Sequence, residues 1–251
     1  MEHAQSRFLD GLVHELKAHP VNTNAFFQAF KDQYLSRSQL QTFLRQYHYF
    51  CKHFVKVLEG LLYKTPVDAL EMRVELAKTL HSELGSGNAE QAHIRLLERF
   101  ATAVGLSPNT LERTEPLPEV AAYLAVLQRL FIESDYLMAL GSEMAVEITA
   151  ASEFRYFYPG LTKYQTFSAH DLAFFEMHLT AEECHSAWLT EAVEKTARTQ
   201  ADLERVAAGA RTTADAWLAF WQGLNRDVFE EAPHPSFSPA GGEAKVRGSS
   251  R

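Results

Sequence analysis

The chain has 251 residues, 46% of them hydrophobic, which is enough apolar material for one well-buried domain or at most two small ones. A formal net charge of −8 without any Lys/Arg cluster argues against nucleic acid or an anionic membrane surface as the main partner and leaves a small molecule as the default. The charged start Met1-Glu2-His3-Ala4-Gln5-Ser6-Arg7 does not read as a signal peptide, no uncharged run approaches the ~20 residues of a membrane span, and Cys51 and Cys184 form neither a CxxC pair nor a disulfide framework, so a cytoplasmic protein with reduced, half-buried thiols is expected.

Apolar residues recur at threes and fours and no run alternates with period two, so the chain reads as all-α. Helices are predicted over 6–18, from the Asn22-Thr23-Asn24 cap through Tyr34, and from Ser36 or Ser38 to about Lys64, where Thr65-Pro66 stops the run. The next spans 67–84 and is interrupted by Leu84-Gly85-Ser86-Gly87-Asn88, after which another runs over 89–104. Gly105-Leu106-Ser107-Pro108 and Glu115-Pro116-Leu117-Pro118 punctuate the crossing to a helix over 119–153, and Tyr158-Pro159-Gly160 reads as a turn. Helices over 170–199 and 202–229 close the bundle. Residues 1–232 then form one domain, and 233–251, rich in Pro, Gly and Ser, read as a disordered tail.

The chemistry concentrates in Phe175-Glu176-Met177-His178-Leu179-Thr180-Ala181-Glu182-Glu183-Cys184-His185. His178, Glu182 and His185 stand at i, i+4 and i+7, within an arc of roughly 60° on one helix. Two imidazoles and a carboxylate are a ligand set that iron, manganese or zinc accepts, and a dry core would not take them unpaired; a solvated Glu/His face is the plain alternative. On other helices, Glu83 and His93 are ten residues apart, about 15 Å along a straight helix, so both reach one site only if Gly85 and Gly87 bend the chain. Glu143 and Glu147 sit one turn apart in apolar surroundings, where one faces inward. Glu59 stands in an oily run and is either at the surface or on a cation.

These residues resemble the heme-oxygenase-like dimetal oxidases and oxygenases, a seven-helix fold shared with thiaminase-like proteins. The family's Glu before Leu-Gly-x-Gly and then a His corresponds to Glu83, Leu84-Gly85-Ser86-Gly87 and His93; its later Glu to Glu147; and its closing His-x-x-x-Asp/Glu-x-x-His to His178, Glu182 and His185. The run from His19-Pro20 through Gln46-Tyr47-His48-Tyr49-Phe50 adds to the likeness, which covers about 10–230. Glu182 stands where many members have Asp. The resemblance implies a seven-helix bundle with a dimetal site in its core, two Fe ions cycling between Fe2+ and Fe3+, O2 as cosubstrate and a peroxo-diferric intermediate. Members that oxygenate nitrogen carry an additional Glu ligand, a place that Glu59 fits, so N-hydroxylation of a small-molecule amine towards a nitroso or nitro product is expected.

Without Glu59 as a ligand, oxidative C–C cleavage or desaturation of an amino or fatty acid gains weight, as does the making of p-aminobenzoate from the protein's own tyrosine. Electrons must then come from a reductase or small reductant, since no flavin or nicotinamide motif is present. A homodimer is compatible with this reading. A ferritin-like arrangement is the rival, because Glu90-x-x-His93 and Glu182-x-x-His185 with Glu59 and Glu147 reproduce its ligand set, leaving Glu83 and His178 as bystanders. Arg155, Tyr156, Tyr158 and Lys163 are candidates for binding a substrate carboxylate, with an ordinary surface role as the alternative.

Overall fold

The computed structural model describes residues 2–181 and 192–230, and every regular element among them is helical. Helix α1 (Glu2–Ala18) ends before Pro20, and the side chain of Asn22 closes the corner by donating to the Leu16 carbonyl at 2.7 Å. Asn24 caps α2 (Ala25–Asp32) by accepting from the Phe27 amide at 3.1 Å, and α2 turns Phe26, Phe27 and Phe30 inward. These rings meet Phe157 and Trp221 in the aromatic heart of the core. Helix α3 (Arg37–Lys64) opens on a capping box in which Ser36 and Gln39 bond each other's backbone amides, a device worth roughly 1 kcal/mol.

The chain continues through α4 (Leu70–Glu83), α5 (His93–Ala103), the short α6 (Pro108–Glu112) and α7 (Pro118–Gln128). The helix predicted over 119–153 is in fact two, because a wide π turn at Arg129–Glu133 ends α7 and Asp135 caps α8 (Tyr136–Thr162) by accepting from the Leu137 and Met138 amides. The turn predicted at Tyr158-Pro159-Gly160 is a correction in the other direction, since α8 runs through it. Pro159 lies close to the helix end, and Gly160 is pressed against the α2 carbonyl of Phe30, where a Cβ would come within 2.8 Å. Lys163 follows and donates to the carbonyls of Phe30 and Lys31 at the α2 C-terminus, so it serves the fold as a helix cap.

Helix α9 (Ala169–Ala181) and helix α10 (Gln200–Asn225) complete the bundle. Helices α8 and α10 pack backbone to backbone: a Cβ on Gly141 would lie 1.8 Å from the Val206 carbonyl oxygen and one on Gly209 2.1 Å from that of Met138. The buried Ser142 and Thr213 hydroxyls bond each other at 2.6 Å across the same seam. This close pairing makes α8 a rigid wall of the core, and α3, α4, α5 and α9 enclose a cavity against it. Among the described residues no helix is long and apolar enough to cross a membrane. The predicted tail at 233–251 lies outside the described residues.

Candidate metal centre

The centre is built on the break between α4 and α5. Gly85 takes φ +86°, its amide bonds the Ser82 carbonyl at 2.8 Å, and the Ser86 amide bonds that of His81 at 2.7 Å, which closes the end of α4. A Cβ on Gly85 would lie 2.2 Å from the Asn88 carbonyl oxygen, so the reversal requires glycine. The bend carries α5 back against α4, and Glu83 Oε2 comes to 3.0 Å from His93 Nδ1. The two residues that a straight helix would hold apart are thus neighbours.

Helix α9 supplies His178, whose ring lies 4.7 Å from that of His93, centroid to centroid, and stacks on Phe154 of α8 at 4.3 Å. Its Nδ1 is 2.6 Å from the Phe174 carbonyl oxygen. A carbonyl can only accept, so Nδ1 carries the proton and Nε2 keeps its lone pair. Burial, reinforced by the neighbouring His93, lowers the His178 pKa to about 4, so the ring is neutral near pH 7. Donor atoms of Glu83, His93 and His178 all lie within 4.8 Å of one another. Ligands on one cation at about 2.0–2.2 Å can be no more than ~4.4 Å apart, so small side-chain adjustments would close the set.

Two further observations fit a cation here. Both ring nitrogens of His93 are buried without a hydrogen bond among the described residues, the contact with Glu83 being close but misaligned. Both carboxylate oxygens of the fully buried Glu143 are likewise unpartnered. Burial pushes the Glu143 carboxyl well above the usual range, and the charges of Glu147 and Glu83 push it the same way. An acidic, imidazole-rich pocket of this kind is what a divalent transition metal stabilises.

The cluster opens into a cavity of about 110 Å³ whose wall includes Glu147. Of the residues expected from sequence, the structure therefore brings together Glu83, His93 and His178, with Glu147 on the same cavity. Glu182 and His185 lie outside the described residues. Glu59 is placed elsewhere: its carboxylate is 2.7 Å from Lys56 Nζ, its side chain is 42% exposed, and it does not line the cavity. A neighbouring ammonium one turn away satisfies that charge in solvent without the cost of burial. Glu90, which the ferritin-like rival needs, is exposed on the turn before α5. His48 pairs with Glu98 at 3.3 Å and His53 with the Tyr49 carbonyl at 2.7 Å, away from the cluster.

The sequence reading missed Tyr47 and Glu153 as a pair. The Tyr47 hydroxyl donates a short hydrogen bond to Glu153 Oε1, both residues are buried, and both line the cavity. Burial raises the Glu153 pKa to about 8 against the lowering effect of that bond. A signal existed, since Glu153 stands alone in the apolar run Ala150-Ala151-Ser152-Glu153-Phe154, but its partner is 106 positions away.

Comparison with known proteins gives the family and the fold. Residues 41–218 match a family described as iron-containing redox enzymes. The 4-aminobenzoate synthase of Nitrosomonas europaea is 26% identical over 210 residues, covering 80% of this chain and 84% of that one. A CADD-like protein of unknown function from Nostoc punctiforme superposes with a TM-score of 0.76 at 22% identity, over 91% of this chain and all of that one. A domain of unknown function with a heme oxygenase-like fold from Shewanella denitrificans superposes with a TM-score of 0.64 at 17% identity, over 91% and 97% of the two chains. The fold is accordingly the heme oxygenase-like one, and the ferritin-like arrangement is set aside.

Proposed function

Because the chain belongs to the family of iron-containing redox enzymes, we propose that it is an oxygen-dependent oxidase whose iron is held by Glu83, His93 and His178. In this proposal Glu147, with Glu182 and His185 beyond the described residues, completes a set for two iron ions. Iron so held supplies the electrons that activate dioxygen. The chain's own groups prepare the site for that chemistry. His178 leaves its proton on Nδ1 against the Phe174 carbonyl and presents a neutral Nε2. Glu143 sits where it can hold a proton without water. Aromatic side chains, among them Phe154 and Phe174, line the cavity beside these groups. Reducing equivalents come from a reductase or a small reductant.

For the substrate, the reading we favour is the 4-aminobenzoate type of reaction, with the cavity's own phenol, Tyr47, as the ring that is oxidised. The observation that carries it is the buried Tyr47 hydroxyl bound to Glu153 on the wall of so small a cavity. About 110 Å³ is below the ~150 Å³ cavity that holds benzene and well below the ~300–1,000 Å³ of ordinary ligand pockets. A free aromatic substrate has little room, whereas a wall residue needs none. The relatives named 4-aminobenzoate synthase support the same choice. N-hydroxylation of a small amine is the second reading; the buried Glu153 carboxyl with one unpartnered oxygen favours it, while the pairing of Glu59 with Lys56 weighs against it.

The test is to expose the Fe(II)-loaded chain to oxygen with a small reductant and an ammonium salt as the donor of the amino nitrogen, quantify released 4-aminobenzoate, and weigh the peptide carrying residue 47. Release of 4-aminobenzoate with loss of side-chain mass at Tyr47, abolished in Tyr47→Phe and kept in Tyr123→Phe, is the expected result. Oxygen consumption with no 4-aminobenzoate and an intact Tyr47 would overturn the reading.

A further inference from the structure

Glu153 is not needed to assemble the iron ligands named above, yet it is the most demanding group in the cavity. Its side chain is 3% exposed, Oε1 accepts from Tyr47, and Oε2 has no hydrogen-bond partner. Leaving a carboxyl oxygen dry and unpaired costs of the order of 1–3 kcal/mol, which packing alone would have removed by placing an apolar residue there. No lysine or arginine lines the cavity among the described residues, so no cation of the chain answers this carboxyl. Aromatic rings make up a large part of that wall. Tyr123 stacks on Trp217 at 4.5 Å, Phe50 lies 5.0 Å from Trp217, and Tyr47 lies 6.1 Å from Phe50.

We infer that Glu153 and the rings of Tyr47, Phe50, Tyr123 and Trp217 form a subsite for a small primary ammonium group, held by the free Glu153 oxygen and by the faces of the surrounding rings. The chemistry is specific to a cation with N–H donors. An ammonium gives charge-assisted hydrogen bonds to Oε2 that a neutral molecule cannot match, and ring faces attract a cation once water is excluded. An anion is disfavoured by the carboxyl groups of Glu83 and Glu147 on the wall of the same space. The cavity volume of about 110 Å³ limits the guest to a short alkyl amine or to the head of a longer one.

The inference deepens the proposed function and rests on reading this cavity as the reaction chamber. It places a nitrogen beside the Tyr47 hydroxyl, which is where 4-aminobenzoate formation needs an amino donor and where an N-hydroxylating enzyme would hold its substrate. The geometry involves Glu153 in binding, not in metal ligation.

The probe is n-butylammonium, with 1-butanol as its uncharged counterpart, titrated calorimetrically into the Fe(II)-loaded full chain without oxygen. Binding of one n-butylammonium per chain, at least tenfold tighter than 1-butanol, is expected. Glu153→Gln should erase that preference while keeping the wild-type iron content. Equal affinity for the two probes, no binding of n-butylammonium, or a preference that persists in Glu153→Gln because the amine sits on iron, would each overturn the subsite. So would loss of iron in Glu153→Gln, since it would make the residue a metal ligand. Should that variant fail to fold, Tyr47→Phe keeps the carboxyl and removes its hydrogen-bond donor; the preference must survive there, and its disappearance refutes the proposal. Iron content and 4-aminobenzoate release are read independently, so an unselective cavity in an active iron enzyme would fail the subsite alone.

Discussion

At the scale of single residues, the site is a contest between desolvation and pairing. His178 is held neutral by burial and aimed by one hydrogen bond to its own helix, so its replacement removes a candidate ligand without disturbing charge elsewhere. His178→Ala should therefore lose tight iron at one position while helix content by circular dichroism stays near wild type; full iron content in the variant would remove His178 from the set. Glu153 gives a pH prediction. Its folded pKa of about 8 lies above the ordinary carboxyl value of 4.5, so the folded chain holds the proton more tightly and the associated stability is complete below ~4.5 and lost as pH rises through about 8. The slope is at most about 1.4 kcal/mol per pH unit, a few kcal/mol in total. In urea unfolding of the iron-free chain, Glu153→Gln should match wild type near pH 5 and exceed it near pH 8; parallel curves would contradict the burial argument.

Legibility at this scale followed distance along the chain. The convergence of Glu83 and His93 was readable because the glycines that permit it lie between them. The Tyr47–Glu153 bond was not, since nothing local to either residue names the other. Glu59 and Glu153 are both single carboxyls among apolar neighbours, yet they end in opposite places. Lys56, one turn away from Glu59, decided the first case, and the buried Tyr47 hydroxyl of α3 decided the second.

At the scale of elements, the α4–α5 reversal controls whether the centre exists. Gly85→Ala places a Cβ against the Asn88 carbonyl and asks alanine to hold a left-handed φ, which costs roughly 1–2 kcal/mol before any clash is relieved. The variant should melt at lower temperature and bind iron weakly even though no ligand is altered; wild-type iron affinity would show that the reversal can form without glycine. Iron loading should also slow amide hydrogen exchange across 83–93, because a cation would tie together the two ends of that turn. Equal exchange with and without iron would contradict this. The same scale holds the misread boundaries. The α7–α8 break is made by a π turn and an Asp cap inside a continuous apolar pattern, and the Pro159 turn vanished because Gly160 lets α8 lie on α2. Periodicity registers neither effect, since both depend on what packs alongside.

At the scale of the whole molecule, the all-helical reading held because no described segment alternates with period two and several helix starts carry their cap in sequence, as at Asn24, Ser36 and Thr199. The fold then does one thing for function: the close α8–α10 seam fixes a wall, and α3, α4, α5 and α9 bring the candidate ligands Glu83, His93 and His178 and an aromatic-lined chamber against it. The central claim is that this chamber holds iron on Glu83, His93 and His178. The most direct measurement is anomalous diffraction at the iron edge from crystals of the Fe(II)-loaded chain. The account predicts an iron peak bonded to Glu83, His93 and His178 at about 2.0–2.2 Å, the range set by zinc–nitrogen and zinc–oxygen bonds. Iron found only outside this cavity, with His93 and His178 unligated, would contradict it.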